Sequence, residues 1–192
     1  YNLGVGSGLH GAQTALMLEK VEQILINEKP DWVLVYGDTN STIAGALAAT
    51  KLHIKIAHVE AGLRSFNKLM PEEINRIVTD RISDLLLVPS QNAMELLAKE
   101  NLSENAVFTG DVMFDSILFY QKMAELKCSL KSITSETDFY LATVHRAENT
   151  DDKARLQNIF YTFSEMDKPV VLPLHPRTKS KLDGIKFNDN VK

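Results

Sequence analysis

The chain has 192 residues, of which 44% are hydrophobic and 24% are charged, and its formal net charge is −4. This composition is that of an ordinary globular protein, and it argues against a disordered, collagen-like or disulfide-scaffold protein. No apolar stretch reaches the roughly 18 to 20 residues that a membrane-spanning helix needs, so an integral membrane protein is not expected. The mildly acidic charge, without basic blocks, argues against general nucleic-acid binding through phosphate contacts.

The single cysteine, Cys128, has no second cysteine with which to form an intramolecular disulfide. The simplest interpretation is a reducing environment, and we expect a cytoplasmic protein. The chain begins at Tyr1 rather than at a methionine, in a loop-like run, so we expect it to be a piece of a longer protein. The lack of a signal peptide in these residues is therefore weak evidence on location.

Short apolar runs follow one another along the chain and predict strands. They cover residues 31–36, 54–59, 85–88, 106–109, 139–144 and 170–174. Runs of this length that are rich in Val and Ile are typical of parallel strands covered on both faces. The final residues 190–192 resemble the beginning of one more strand.

Longer segments between these runs predict helices. They cover residues 11–28, 39–52, a segment that begins at Pro71, residues 90–99, and a segment from Asp151 or Asp152 to residue 163. In 11–28 the apolar residues recur at three- and four-residue steps, and 39–52 is rich in alanine, as in a helix packed closely on a sheet. Pro71 precedes two acidic residues, and Ser90 suits an N-cap. Strands that alternate with helices predict an α/β fold with doubly wound parallel sheets.

The polar stretch 128–137 interrupts this alternation and predicts a surface connection. A new strand–helix series begins at Phe139. We therefore expect two domains, of which residues 1–112 form most of the first and residues 139–192 the beginning of the second. Residues 113–138 are predicted to connect them.

In open α/β sheets, ligands bind beyond the carboxyl ends of the strands. Asp38, Glu60, His145 and His175 each follow an apolar run at such a position. Local alternatives exist for every one of them: Asp38 as a helix N-cap, Glu60 as a solvated or Arg64-paired carboxylate, and each histidine as a structural residue.

Glu72 and Arg76 are four residues apart on a predicted helix, so they share a face, and a supporting ion pair between them is the simplest interpretation. Two histidines at equivalent places, one followed directly by Arg146, are better explained by an anionic ligand such as a diphosphate. The glycine-rich opening from Gly4 to Gly8 lacks the spacing of a dinucleotide fingerprint and is interpreted as a flexible lead into the first helix.

Three carboxylates and an arginine in the first half, with histidines in the second, are suited to acid/base chemistry on a phosphorylated or nucleotide-linked substrate. No Cys/His metal spacing and no nucleophile elbow is present, so metal-dependent hydrolysis and serine-type acyl transfer are poor candidates. We expect neither a metal nor a cofactor. The residues alone predict an enzyme of this general kind and no more.

The motifs resemble those of the non-hydrolysing UDP-N-acetylglucosamine 2-epimerases. They occur in family order over nearly the whole chain, as GDTNST at 37–42, HVEAGLR at 58–64, PEEINR at 71–76, GDVMFD at 110–115, HRAEN at 145–149 and LHPR at 174–177. The resemblance implies two Rossmann-like domains of GT-B type, both incomplete in this chain, with the active site in the cleft between them.

The resemblance also implies a mechanism. Such enzymes remove the proton at C2 of the sugar, expel UDP from C1 to give 2-acetamidoglucal, and add UDP back after reprotonation on the other face. The implied acid/base residues are Asp38, Glu60 and Glu72, without assignment to either face. Arg76 is implied to orient Glu72 or to contact substrate. His145 is implied as a catalytic residue that holds the departing diphosphate, and His175 is implied to bind the UDP moiety. Arg146 is expected to bind substrate.

Alternatives remain open at this point. They are a 2-epimerase of another UDP-N-acetylated sugar such as a diacetamido-uronic acid, a hydrolysing epimerase, a non-catalytic nucleotide-sugar-binding domain and a GT-B glycosyltransferase. From the resemblance we further expect a homodimer, a UDP-sugar that also acts as an allosteric activator, and a role in cell-surface polysaccharide synthesis. The 192 residues by themselves are expected to be inactive.

Overall fold

A computed structural model of the protein describes residues 1–192 and divides them into two compact units. Unit 1 is Tyr1–Phe119 and unit 2 is Tyr120–Lys192. None of the helices combines the length and the apolar composition needed to cross a bilayer.

Unit 1 is built on four parallel strands, hydrogen-bonded in chain order. The strands are β1 (Trp32–Tyr36), β2 (Lys55–Val59), β3 (Leu85–Val88) and β4 (Ala106–Phe108). The helices are α1 (His10–Glu28), α2 (Asn40–Lys51), α3 (Pro71–Ile82), α4 (Gln91–Lys99) and α5 (Val112–Lys127), the last of which continues into unit 2. Each predicted strand and helix of this unit is present to within about one residue at its ends, because the hydrophobic period marks them well.

Helix α2 packs closely on the sheet, as its alanine-rich sequence predicts. Ala46 and Ala49 are fully buried in a cluster with Leu25 of α1 and Val35 of β1. A Cβ atom added at Gly45 would lie only 3.3 Å from the Val35 side chain. Small side chains therefore set the short distance between this helix and the strand beneath it.

Strand β1 departs from the prediction that the strands are covered on both faces. Val33 and Val35 pack against the cluster made with α1 and α2, whereas Leu34 and Tyr36 remain 48% and 61% exposed. Side chains alternate between the faces of a strand, so only the face beneath these helices is covered. The expectation does hold for β2, where every residue after Lys55 is buried.

Unit 2 contains a two-stranded parallel sheet of β5 (Tyr140–Leu141) and β6 (Val170–Val171). Its helices are α6 (Ala147–Thr150), α7 (Lys153–Ser164) and α8 (Pro176–Lys179). The strands are shorter than the predicted runs, but Val191 bridges to Val170 in parallel, as the strand-like residues 190–192 suggest. Asp152, rather than Asp151, caps α7 by accepting hydrogen bonds from the N–H groups of Ala154 and Arg155.

Helix α5 is the one long helix that the sequence analysis did not predict. Residues from Val112 to Lys127 are helical, although the analysis expected only a connection there. No side chain of α5 is buried, and Phe114, Ile117 and Leu118 are all about half exposed or more. Apolar residues occur all around this helix, so it lacks the one-sided period that marks α1. Residues 128–137 do lie mostly at the surface, as predicted.

Candidate active site

The loop after β1 carries Asp38. Gly37 adopts φ +64° and donates its N–H to the Val59 carbonyl at 3.1 Å, which brings the loop against the end of β2. Helix α2 then begins at Asn40 with Thr39 as its N-cap, whose N–H donates to the Thr42 hydroxyl at 3.2 Å. The alternative interpretation of Asp38 as the helix cap is therefore wrong, because Thr39 occupies that position and leaves the Asp38 carboxylate available.

Glu60 follows β2 in a left-handed backbone conformation, with φ +71°. Its N–H donates to the Leu87 carbonyl of β3 at 3.1 Å, which holds the turn on the sheet. The Glu60 carboxylate lies against the preceding loop, since a Cβ atom at Gly37 would be only 3.1 Å from Glu60 Oε2. Position 37 thus requires glycine for its backbone angle and also for the space that the carboxylate occupies.

Arg76 of α3 joins the two loops. Its Nη2 atom lies 2.7 Å from Asp38 Oδ2 and 3.3 Å from Glu60 Oε2. The Arg76 side chain is only 11% exposed, and those of Asp38 and Glu60 are 24% and 36% exposed. The structure therefore brings three of the predicted site residues together at the carboxyl ends of β1 and β2, with one cation between two partly accessible carboxylates.

Two ion pairs offered as local alternatives are absent. Glu60 does not pair with Arg64, which lies against Asp80 and Glu100 instead. Glu72 does not pair with Arg76 either, although it sits one turn earlier on α3. Arg76 has two carboxylates from other loops within reach, and these take the place of the neighbour on its own helix. Glu72 is exposed and makes no hydrogen bond, so its predicted acid/base role stays a prediction.

Glu73, next to Glu72, is buried and structural. Its carboxylate accepts hydrogen bonds from the Ser65 N–H at 2.8 Å, the Ser65 hydroxyl at 3.0 Å and the Phe66 N–H at 3.0 Å. Burial by itself opposes ionisation, but these hydrogen bonds and the nearby charge of Arg64 outweigh it and lower the pKa of Glu73 below its ordinary value. The ionised carboxylate holds the loop after Arg64 onto α3.

The lowered pKa of Glu73 predicts a pH-dependent loss of stability. A carboxylate whose pKa is lower in the folded state stabilises the protein above its unfolded pKa, and that contribution disappears as the pH falls through the folded value. We expect Glu73→Gln to lower the free energy of unfolding by about 1 to 3 kcal/mol at neutral pH, measured by urea denaturation. The difference from wild type should shrink once the pH falls below the ordinary value of 4.5. The exposed Glu104→Gln serves as control, and a difference that stays constant or grows in acid would contradict the assignment.

The positive φ angle of Glu60 predicts that glycine at this position gives a more stable protein than alanine, the reverse of their order within a helix. Alanine at φ +71° keeps the left-handed strain, whereas glycine relieves it, so Glu60→Gly should be about 1 kcal/mol more stable than Glu60→Ala. Glu95, exposed within α4, is the matched control, because there glycine should be less stable than alanine by about 1 kcal/mol. Thermal or urea unfolding of the four variants tests this, and the same ranking at both sites would refute it.

A buried chain of charges lies beneath the site, and the sequence analysis did not find it. His58 Nδ1 lies 2.7 Å from Asp80 Oδ1, and Arg64 Nη1 lies 2.7 Å from Asp80 Oδ2. Arg64 also pairs with Glu100 through Nε at 2.8 Å. Burial disfavours the charge of Arg64, yet the hydrogen bonds and charges of Glu100 and Asp80 prevail and raise its pKa. The only sign of this network in the sequence was a histidine within a predicted strand.

Asn75 is a second residue that the sequence analysis missed. Its Nδ2 donates to the Asp38 carbonyl at 2.9 Å, which fixes the loop from the α3 side. Asn75 also lines a cavity of about 460 Å³ beside the first residues of α1, α2 and α3. Its other lining residues are His10, Gly11, Thr14, Ala15, Asn40, Pro71 and Ile74. The motif around Pro71 suggested a functional helix, but nothing in it distinguished Asn75.

In unit 2 the two predicted histidines lie together. The rings of His145 and His175 are stacked, with centroids 5.2 Å apart and an angle of 28° between their planes. They follow adjacent strands, and the buried Thr178 donates its hydroxyl to the Val144 carbonyl, which ties α8 to the residue before His145. His175 Nδ1 accepts the Arg177 N–H at 3.1 Å, and the Arg146 side chain makes no hydrogen bond.

Comparisons with known proteins cover the whole chain. The family model described as UDP-N-acetylglucosamine 2-epimerase matches residues 1–192. A UDP-N-acetylglucosamine 2-epimerase homolog of Methanococcus maripaludis is 53% identical, covering 100% of this chain and 55% of that protein. A UDP-2,3-diacetamido-2,3-dideoxy-D-glucuronate 2-epimerase of Pseudomonas aeruginosa is 51% identical with the same coverage.

Solved structures match the fold as well. The crystal structure of Methanocaldococcus jannaschii UDP-GlcNAc 2-epimerase in complex with UDP-GlcNAc and UDP has a TM-score of 0.90 and 45% identity, covering all of this chain and 57% of that one. The match confirms the predicted α/β fold of GT-B type. The chain thus spans about half the length of the relatives that it matches.

Proposed function

The chain belongs to the UDP-N-acetylglucosamine 2-epimerase family, and from this premise we propose that the protein interconverts UDP-N-acetylglucosamine and UDP-N-acetylmannosamine. The observation that carries the proposal is Arg76 placed between the carboxylates of Asp38 and Glu60. These carboxylates are partly accessible at the carboxyl ends of parallel strands, where ligands of α/β proteins bind. The relative of known structure that binds UDP-GlcNAc and UDP supports the same substrate class.

The proposed reaction begins with loss of the C2 proton to a carboxylate. The C2–H electron pair forms the C1–C2 double bond while the C1–O bond breaks, and UDP departs with that bond's electron pair. Asp38, Glu60 and Glu72 are the candidate acid and base groups. Asp38 and Glu60 lie at partly desolvated positions, where carboxylates perform both roles, and Glu72 is included on the family resemblance. Arg76 holds two of them in place and partly compensates their charge.

The second half of the reaction reverses these steps on the other face of the sugar. An acid returns a proton to C2 of 2-acetamidoglucal, and a UDP oxygen adds to C1. His145, Arg146 and His175 are proposed to hold the diphosphate, because charge develops there as UDP leaves and donors aimed at developing charge lower the barrier. The stacked histidines and the unpaired Arg146 side chain support this assignment.

A second candidate substrate is a UDP-2,3-diacetamido-uronic acid. It is favoured by the 51% identity to the Pseudomonas aeruginosa relative, which is close to the identity to the epimerase homolog of Methanococcus maripaludis. The reaction would be the same, because both sugars carry an acetamido group at C2. The two candidates differ at C3, next to the reacting carbon, and at C6, but they carry the same acetamido group and the same proton at C2.

Incubation of the complete gene product with each UDP-sugar in D2O tests both candidates. We expect UDP-N-acetylmannosamine to appear in the ¹H NMR spectrum, with deuterium at C2 of the sugar pool. Free N-acetylmannosamine and UDP would reveal a hydrolysing enzyme, and turnover of the diacetamido-uronic acid alone would reassign the substrate. Binding of UDP without exchange of either sugar would reject catalysis. The same assay on the 192 residues alone tests the expectation that they do not turn over by themselves.

We also propose a cytoplasmic homodimer that serves cell-surface polysaccharide synthesis and is activated by its own UDP-sugar. This rests on the family and on the single free cysteine, Cys128. Light scattering of the complete gene product tests the dimer. A sigmoidal dependence of rate on UDP-sugar concentration is expected if the substrate also activates.

A further inference from the structure

The buried histidine of β2 connects to both loops that carry the site carboxylates. His58 is fully buried, and its Nε2 lies 2.7 Å from the Gly37 carbonyl, one residue before Asp38. Its Nδ1 lies 2.7 Å from Asp80. A carbonyl and a carboxylate both accept hydrogen bonds, so each ring nitrogen of His58 faces an acceptor.

Asp80 continues the connection to the second loop. Its Oδ2 accepts the Gly62 N–H at 3.1 Å, two residues after Glu60, and also accepts Arg64 Nη1 at 2.7 Å. Gly62 has φ +82°, and a Cβ atom there would lie 2.8 Å from Leu97, so this turn packs closely on α4. One buried histidine–aspartate pair thus contacts the loop before Asp38 and the loop after Glu60.

We propose that His58 is a positioning residue for the reaction, which holds the Gly37 carbonyl and, through Asp80, the Gly62 turn, so that the Asp38 and Glu60 carboxylates keep a fixed separation. It does not touch substrate. Acid/base groups must keep their place relative to the reacting carbon, and displacement by about 1 Å costs up to about 100-fold in rate. The proposal concerns the catalytic step and so rests on the proposed epimerase function.

Two substitutions separate the two contacts of the ring. The amide of His58→Gln reaches about as far as Nε2 and can still donate to Gly37, whereas that of His58→Asn reaches only to the place of Nδ1, beside Asp80. Both remove the ring from the same buried position. Ile56→Ala is the matched control, since Ile56 is also fully buried, in the same strand and two residues earlier. It loosens β2 without touching either loop contact.

Amide hydrogen exchange gives a readout that needs no substrate. The Gly37 N–H is bonded to the Val59 carbonyl, so its exchange reports whether the first loop stays in place. In the complete gene product we expect exchange over residues 37–40 to become about tenfold or more faster in His58→Asn, and to stay near wild type in His58→Gln and Ile56→Ala. Equal exchange at these residues in all four proteins would overturn the proposal.

Kinetics give the second readout. We expect kcat for UDP-GlcNAc to fall about 10- to 100-fold in His58→Asn, with KM within about threefold of wild type, and to fall much less in His58→Gln. If His58 only stabilised the fold, kcat should be equal in His58→Asn, His58→Gln and Ile56→Ala. Equal kcat values would therefore contradict a positioning role. If His58→Asn does not fold, the test rests on His58→Gln. Faster amide hydrogen exchange at Gly37 in His58→Gln than in wild type would then refute the proposed role of His58. If wild type shows no epimerisation, the proposed function fails while hydrogen exchange still decides the role of His58.

Discussion

Asp38→Asn and Glu60→Gln are each expected to lower kcat for UDP-GlcNAc epimerisation by about 10² to 10⁴-fold, the range that a positioned acid or base contributes. Each amide is nearly isosteric with the carboxylate that it replaces, but at neutral pH it can act neither as the base nor as the acid in the reaction. Arg76 pairs with both carboxylates, so each substitution leaves it the other one as a partner, and the fold around the site should survive. Affinity for UDP, measured by calorimetry, should change little, because the proposed diphosphate contacts lie in unit 2.

Proton exchange distinguishes the roles of the carboxylates. In D2O, a variant that keeps the base for one face should still exchange the C2 proton of that epimer without converting it to the other. Loss of exchange from both epimers would mean that the residue is needed on both faces. The exposed Glu95→Gln is the control and should keep wild-type kcat. An Asp38→Asn or Glu60→Gln enzyme with more than about a tenth of wild-type kcat would remove that residue from the acid/base assignment.

Asp80→Asn is expected to lower the free energy of unfolding by about 3 to 5 kcal/mol, because it removes the buried charge that pairs with the Arg64 guanidinium. Asp80 is fully buried, and it is the only carboxylate that contacts both His58 and Arg64. Asparagine retains the shape and one acceptor oxygen but removes the negative charge between them. Urea denaturation of the whole protein, followed by circular dichroism, measures the loss.

Asp138→Asn is the matched control for this prediction. Asp138 forms an ion pair with Lys168 at 2.9 Å, but the two side chains are 72% and 40% exposed. Solvent screens such a pair, so its removal should lower the free energy of unfolding far less than Asp80→Asn does. Similar losses for Asp80→Asn and Asp138→Asn would show that the buried chain of charges does not stabilise the fold.

The helices and strands were predictable from the sequence wherever apolar periodicity or helix capping gave a clear pattern. Apolar periodicity located β1 to β4 and α1 to α4, and short-range capping chemistry located the start of α4 at Ser90, whose hydroxyl accepts the Ala93 N–H. The rule failed for α5, where apolar residues occur on all sides and no face stands out. Backbone hydrogen bonding makes that segment helical without the side-chain pattern that a sequence analysis detects.

The location of the candidate site at the carboxyl ends of the strands was predictable from the sequence. The contacts between its side chains were not. Parallel strands place their carboxyl ends at one edge, so residues after β1 and β2 were expected to meet there, and Asp38 and Glu60 do so around Arg76. The simplest interpretation paired Arg76 with Glu72, but Arg76 lies against Asp38 and Glu60 instead. Spacing of four on a helix makes a pair feasible, but two nearer carboxylates from other loops decide where the guanidinium lies.

The sequence by itself determined the parallel α/β class, the edge of the sheet at which Asp38 and Glu60 lie and, through its motifs, the epimerase family. These follow from local periodicity, from the geometry of parallel strands and from motif order, all of which can be read along one chain. Only the tertiary structure decided that Asp38 and Glu60 share Arg76, and that His58 and Asp80 lie beneath them. Such contacts join residues 16 to 38 positions apart, and burial together with competition among charged groups selects them.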